Sequence, residues 1–185
     1  MTKIRVGIDI GANGAIAIFR EGQLVHYSVI PKIADELDMR QMINQIVAYP
    51  LEDIHVLMED LHSVFGSSAS SNFTFGVNNG LIVGALQALQ IPYTKVQAKK
   101  WQKQMWEGIR PVVNPVMKKQ KGQPAFHEKN KKGEFKYKID TKATSLVAAN
   151  RLFPKETFFA TERSRTAHDG IVDAVLIGKY CALNF

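Results

Sequence analysis

At 185 residues the chain is long enough to bury one core and too short for two ordinary domains, and 45% hydrophobic with 22% charged residues excludes a disordered polymer. No run approaches the roughly 18 apolar residues of a membrane span, and no secretory leader precedes the first charged strand, so a soluble, cytoplasmic chain with no membrane partner is expected. A net charge of +7 points to anionic partners, while a single cysteine, Cys181, excludes an internal disulfide, fits a reducing compartment and reads as a small core residue.

Lys3 to Ile10 reads as a strand of β-branched apolar residues that carries one acid, Asp9, and breaks at Gly11 and Gly14 before a second strand, Ala15 to Phe19. A carboxylate inside a sheet costs several kcal/mol unless something positive neutralises it, which suggests a cation or cationic partner. The plain alternative is a solvated turn acid, or one bonded to the amides of Gly11 to Gly14. Leu24 to Ile30 is a third strand, and short turns between the three imply an antiparallel meander. Met39, Met42, Ile43, Ile46 and Val47 then follow helical spacing, with Asp38 as N-cap and Pro50 as stop. Ile54 to Asp60 is an apolar strand ending in acids, and a helix leading into it implies a parallel crossover.

A polar, serine-rich loop carrying Phe65 leads into a helix over Phe73 to Leu89, with Phe75, Ile82, Leu86 and Leu89 as its apolar stripe. Gly76, Gly80 and Gly84 recur every four residues there, at a cost of roughly 1 kcal/mol each relative to alanine. Their spacing calls for a close approach along one face, to the sheet or, the favoured option, to a second copy of the chain. Pro92 to Gln97 is a fifth strand, followed by a basic helix start at Ala98 to Lys103. From about Gly108 to Tyr137 the composition turns to Pro, Gly, Lys, Gln and Asn with weak periodicity, the pattern of a basic insertion that is mobile without its partner. Asp140-Thr141 caps a helix through Leu152, and a last helix runs from about Ala167 to Leu183. The order predicts one α/β domain: a mixed five-stranded sheet, antiparallel meander plus parallel strands, flanked by helices.

Between Lys99 and Lys142 stand thirteen Lys or Arg against four acids, so the rest of the chain is close to neutral. Nucleic acid is the first anionic partner to consider, because phosphate neutralisation dominates its binding; a solvated lysine-rich loop is the alternative. Lys99, Lys100, Lys103 and Lys142 are candidate phosphate contacts, and Trp101 reads equally well as core. In the last helix, Asp169 and Asp173 lie four apart, roughly 6 Å from one another on the face that continues apolar. Two first-turn acids can simply complement the helix dipole. Together with Asp9 and Glu59, however, they supply four oxygen ligands of the kind that surrounds hard divalent ions, and two such ions about 4 Å apart break phosphodiesters.

Gly7-Ile8-Asp9 with Gly14-Ala15, the Glu59 strand end before a Phe-bearing loop and glycine-spaced helix, and His168-Asp169-Gly170-Ile171-Val172-Asp173-Ala174 resemble the RuvC family of Holliday junction resolvases, especially its phage-type members. The resemblance covers most of the chain outside about Gly108 to Tyr137. It implies an RNase H-like fold, a homodimer, Mg²⁺ or Mn²⁺ as a pair of ions per site, and paired nicks in four-way and related branched DNA. By position, it implies that Asp9 bridges the metals, Glu59 and Asp173 complete the ligands, and Asp169 is a ligand or a base for the attacking water. Bacterial members often place the penultimate acid three residues before the last, where this chain has Gly170, so Asp169 at four before is the candidate, with His168 as an assistant or substitute, or an ordinary cap. Phe65 is a candidate wedge at the junction centre, or a loop anchor. Three other readings compete: an RNase H-like nuclease of RNA–DNA hybrids or flaps, a nucleotide-binding module of the actin and sugar-kinase type, and a non-catalytic DNA-binding protein.

Overall fold

Alternation in the first strand decides which side chains face which layer. The structure, a computed structural model, describes residues 2–11, 14–34, 36–60, 68–118 and 124–185. In β1 (Ile4–Asp9), Ile4, Val6 and Ile8 point into one core, so Gly7 and Asp9 face the other way. β2 (Ala15–Arg20) and β3 (Gln23–Val29) complete the antiparallel meander. A two-residue hairpin, β4 (Lys32–Ile33) with β5 (Glu36–Leu37), which no periodicity signalled, precedes α1 (Met39–Ile46). Asp38 caps α1 by accepting the Gln41 N–H.

β6 (Ile54–Glu59) pairs parallel to β1, and β7 (Tyr93–Val96) parallel to β6. The sheet order is β3-β2-β1-β6-β7, with β1 at its centre, as the mixed-sheet expectation required. Between β6 and β7 lies α2 (Ala69–Ala88), and after β7 comes α3 (Ala98–Met105). α4 (Thr141–Leu152) and α5 (Asp169–Asn184) close the chain. Ile82 and Leu86 of α2 join Met42 and Ile46 of α1 on the isoleucine face of the sheet. Trp101, Ala148, Ala149 and most of α5 pack on the other face, with Ala15, Ala17, Phe19 and Leu57. α5 is buried on nearly every side, which explains its continuous apolar sequence.

Two glycines let α5 settle on β1. A Cβ on Gly7 would overlap the backbone of Ala174 and Gly178, and one on Gly178 would lie 2.6 Å from the Phe19 ring. The glycines of α2 behave differently: among the described residues nothing lies within 4 Å of where a side chain at Gly76, Gly80 or Gly84 would begin, so the close approach to the sheet is not made. The stretch 108–137, expected as an insertion without regular structure, contains β8 (Val113–Pro115), β9 (Met117–Lys118) and β10 (Phe126–His127). β11 (Tyr137–Ile139) pairs antiparallel with β8, and β10 with β9. Pairings of two or three residues are too short to leave an alternation in the sequence. No helix among the described residues is long and apolar enough to cross a membrane.

Candidate functional site

Period-two alternation and parallel register together bring two of the predicted acids to one end of the sheet. Asp9 ends β1 on the Gly7 side, and Glu59 ends β6 on the Leu57 side, the face that α5 covers. Ile8 pairs with Met58, so the two acids are adjacent at the carboxyl ends of neighbouring parallel strands. The glycine crossing then holds the first turns of α5 over this end, and Asp173 with it. Asp9, Asp169 and Asp173 line one open cleft of about 730 Å³ with Gly11, Phe75 and Lys142.

Their electrostatics are those of acids short of positive charge. Burial pushes the Asp9 carboxyl up to about 7, against a stabilising bond from the Gly11 N–H at 3.1 Å, and the Glu59 charge adds to the rise. The turn-amide alternative for Asp9 is thus also realised, without being enough to offset the burial. Asp173 is likewise pushed up to about 7, by burial first and then by the Asp9 charge. The Ser145 hydroxyl beside its carboxylate works against that rise, yet Asp173 Oδ1 is buried with no hydrogen-bond partner among the described residues. Burial raises Glu59 too, while the Trp101 indole N–H, donating to Oε1 at 2.8 Å, pulls it down. Glu59 is not a lining residue of the cleft.

Asp169 and Asp173 share a helix but not an environment. Asp169 is the first residue of α5, has 55% of its side chain exposed, and takes a hydrogen bond and ion pair from Lys142 Nζ. Asp169 in turn raises Lys142 above the ordinary lysine value, chiefly through that bond. With 70% of the Lys142 side chain exposed, the pair adds little stability and leaves the ammonium accessible. His168 is the N-cap of α5: its Nδ1 accepts the Ile171 N–H at 3.3 Å, and its side chain lines the same cleft.

Lys99, Lys100 and Lys103 are exposed on α3, which begins two residues after Val96, the partner of Glu59 in the sheet. They do not line the cleft, and they stand on the helix whose buried Trp101 holds Glu59. Phe65 lies outside the described residues. Sequence reasoning missed Ser145. Its signal was a polar residue at the inward positions of α4 that Ala148, Ala149 and Leu152 continue, since a polar group buried to 1% exposure needs a partner. Phe75, taken as core stripe, is a cleft wall.

Among the described residues no three His, Cys, Asp or Glu side chains are gathered tightly enough to form a ready metal centre. The acids are neighbours in one field, not a closed cage. Their chemistry still fits a hard cation: all four offer carboxylate oxygens, and the unpartnered Asp173 Oδ1 is a buried acceptor in need of positive charge.

No protein-family model matches the sequence, and no curated protein matches it. Among solved structures, Thermus thermophilus RuvC is similar over 96% of this chain and 92% of its own, with a TM-score of 0.50 at 16% identity. T. thermophilus RuvC in complex with Holliday junction substrate aligns over the same shares, with a TM-score of 0.47 at 14% identity. YeaZ from Pseudomonas aeruginosa aligns over 74% of this chain and 64% of its own, with a TM-score of 0.38 at 16% identity. At such identities the likeness is one of backbone. Sheet order, helix placement and this likeness agree on one conclusion: the chain has the RNase H-like fold of RuvC.

Proposed function

We propose that this is a structure-selective, divalent-metal-dependent DNA endonuclease of the cytoplasm that resolves four-way junctions and related branched DNA by paired nicks. One observation carries the reading. Asp9, Glu59 and Asp173 arrive from three separate elements at one end of a RuvC-like sheet, burial raises all three, and a buried Asp173 oxygen has no partner among the described residues. Such a site suits two Mg²⁺ ions, with Mn²⁺ as a substitute, and Asp9, Glu59, Asp169 and Asp173 would hold them. When bound, the ions would activate a water and stabilise the leaving oxygen of a phosphodiester.

The chain's own groups supply the rest. Trp101 fixes the orientation of Glu59 by donating to it, and the Ser145 hydroxyl beside Asp173 favours its charged form. Lys142 balances Asp169 and is exposed enough to meet a phosphate, with Lys99, Lys100 and Lys103 as further backbone contacts. Paired nicks require two sites, and the outer face of α2 offers a surface for a second copy. Phe73, Val77 and Leu81 are 74%, 42% and 41% exposed there, interleaved with the three uncovered glycines.

The test is incubation of mobile and fixed four-way junctions with Mg²⁺, mapping nicks on every strand. Symmetric nicks on two opposing strands are expected, and Asp9→Asn is expected to bind junctions selectively without cutting them. Faster cutting of an RNA–DNA hybrid, unchanged nicking by Asp9→Asn, or cleavage with no divalent ion would each overturn the reading.

A further inference from the structure

The short strands between α3 and α4 build an arm whose surface the cleft chemistry does not use. Ile139 pairs with Val113, Tyr137 with Pro115, His127 with Met117 and Phe126 with Lys118, and an isolated bridge joins Lys129 to Phe135. No described residue of this arm is buried. Val113, Met117, Phe126, Phe135, Tyr137 and Ile139 are all between 41% and 60% exposed.

What orders the arm is a set of rings and cations. His127 stacks on Phe135 with centroids 4.4 Å apart and planes 7° from parallel, and Lys129 Nζ sits 4.8 Å from the Phe135 centroid. Tyr137 stands at 88° to His127 and is 60% exposed, the ring of this group with the most open surface. Glu128 takes both Lys118 and Lys136, whereas Lys131, Lys132 and Lys138 form no ion pair among the described residues.

The arm is rooted at the rim of the acidic cleft. Its base is pinned by Asn114 Nδ2 donating to Asp140 Oδ2 at 2.8 Å, by the Asp140 N–H to the Val112 carbonyl, and by the Val112 N–H to Thr144 Oγ1. Asp140 caps α4, and Lys142, two residues on, is the ammonium bonded to Asp169.

We infer that residues 113–118 and 126–139 form a second nucleic-acid contact, which takes strands with unpaired bases by stacking them on Tyr137 while Lys131, Lys132 and Lys138 neutralise phosphates. Exposed rings beside uncommitted lysines match a single strand, whose bases offer free π-faces, better than a duplex, whose base faces are already covered. The inference takes from the nuclease reading only that the partner is nucleic acid.

The test measures binding of the full chain to labelled oligothymidine and to a duplex of equal length, in EDTA, so that no cleavage enters. Tyr137→Ser is expected to weaken single-strand binding by about tenfold and leave duplex binding unchanged, with Tyr137→Phe close to the parent. Joint replacement of Lys131, Lys132 and Lys138 by Gln is expected to lower the slope of log affinity against log salt by about 2. Because Tyr137→Ser could unfold the arm, cross-linking of the parent chain to 5-iodouracil oligonucleotides gives a second measure, with adducts expected within 126–139. Unchanged single-strand binding by Tyr137→Ser, equal losses on both probes with Tyr137→Phe no better, or cross-links outside the arm would overturn it. A protein that passes these tests yet nicks no junction loses the nuclease reading alone.

Discussion

Two sets of glycines in this molecule have opposite surroundings. Gly7 and Gly178 sit where α5 crosses β1 so closely that neither has room for a methyl group, while Gly76, Gly80 and Gly84 along α2 have no described residue within 4 Å of an added methyl group. The first set brings the start of α5, and with it Asp173, over the end of β1 where Asp9 stands. The second leaves a flat outer surface between Phe73, Val77 and Leu81. Glycine in a sequence thus marks a close approach without saying whether the approach is made inside the chain or left for something outside it.

Substituting Gly7 breaks the comparison hardest. A methyl group there would meet helix backbone, which cannot turn aside as a side chain can, so α5 must lift from the sheet. Gly7→Ala is expected to lose more than about 3 kcal/mol, or some 6–12 °C in Tm for a chain of this size. Thermal melting followed by circular dichroism checks it. Gly178→Ala is expected to lose less, because its obstacle is the Phe19 ring. A Gly7→Ala protein that melts with the parent would show that the crossing is not tight.

The next effect concerns what the tight crossing brings together. The Asp9 and Asp173 carboxyls take protons near 7 when folded, against 3.8 for an ordinary aspartate. Between about pH 4 and 7 the folded, metal-free state therefore binds more protons than the unfolded one, and stability falls as pH rises through that window. Asp9→Asn removes one of the two charges while its amide oxygen can keep the Gly11 bond. In EDTA at pH 8 it is expected to gain about 2 kcal/mol, roughly 4–8 °C in Tm, and to flatten the pH dependence. Mg²⁺ is expected to raise the parent's Tm at pH 8 more than the variant's. A variant no more stable than its parent at that pH would show that the Asp9 charge is already neutralised within the chain.

Much of this end of the molecule was legible in the sequence, because strand alternation and helical spacing are local. Asp9 among β-branched residues, the acids ending β6, and the Asp169/Asp173 pair all announce themselves. The partners of these acids do not. Trp101 reaches Glu59, and Ser145 comes to stand beside Asp173, only because α3 and α4 pack beside α5 on the same face of the sheet, a tertiary fact with no period in the chain. Nor does spacing reveal that Asp169 is more than half exposed on a helix that buries its later residues, since that depends on where the sheet ends. The arm was illegible for a different reason: its strands are two or three residues long, and its order rests on ring stacking.

Trp101→Phe sharpens the point at smaller cost. It keeps most of the buried ring and deletes the N–H that Glu59 accepts. A hydrogen bond to a charged group is worth about 1.5–3 kcal/mol, so a modest drop in Tm is expected. Losing that donor also raises Glu59 further, since the bond is what holds the carboxyl down. Nicking at limiting Mg²⁺ is expected to fall by about 10–100-fold, with recovery at higher Mg²⁺. A loss that added Mg²⁺ does not relieve would mean that Trp101 serves packing alone.

The smallest effect has the opposite sign and returns to the open glycines. Replacing Gly76, Gly80 or Gly84 by alanine adds a methyl group where no described residue lies within 4 Å, and alanine favours a helix interior by about 1 kcal/mol. Each substitution is therefore expected to raise the Tm of the dilute protein by about 2–4 °C, the reverse of Gly7→Ala. If a second copy uses this face, the same methyl groups hold the two backbones apart, so the triple variant should sediment as a monomer at concentrations where the parent is a dimer. Higher melting with weaker self-association would assign the α2 glycines to an interface between copies. Higher melting with unchanged association would leave them as helix weaknesses and move the dimer contact elsewhere on the molecule.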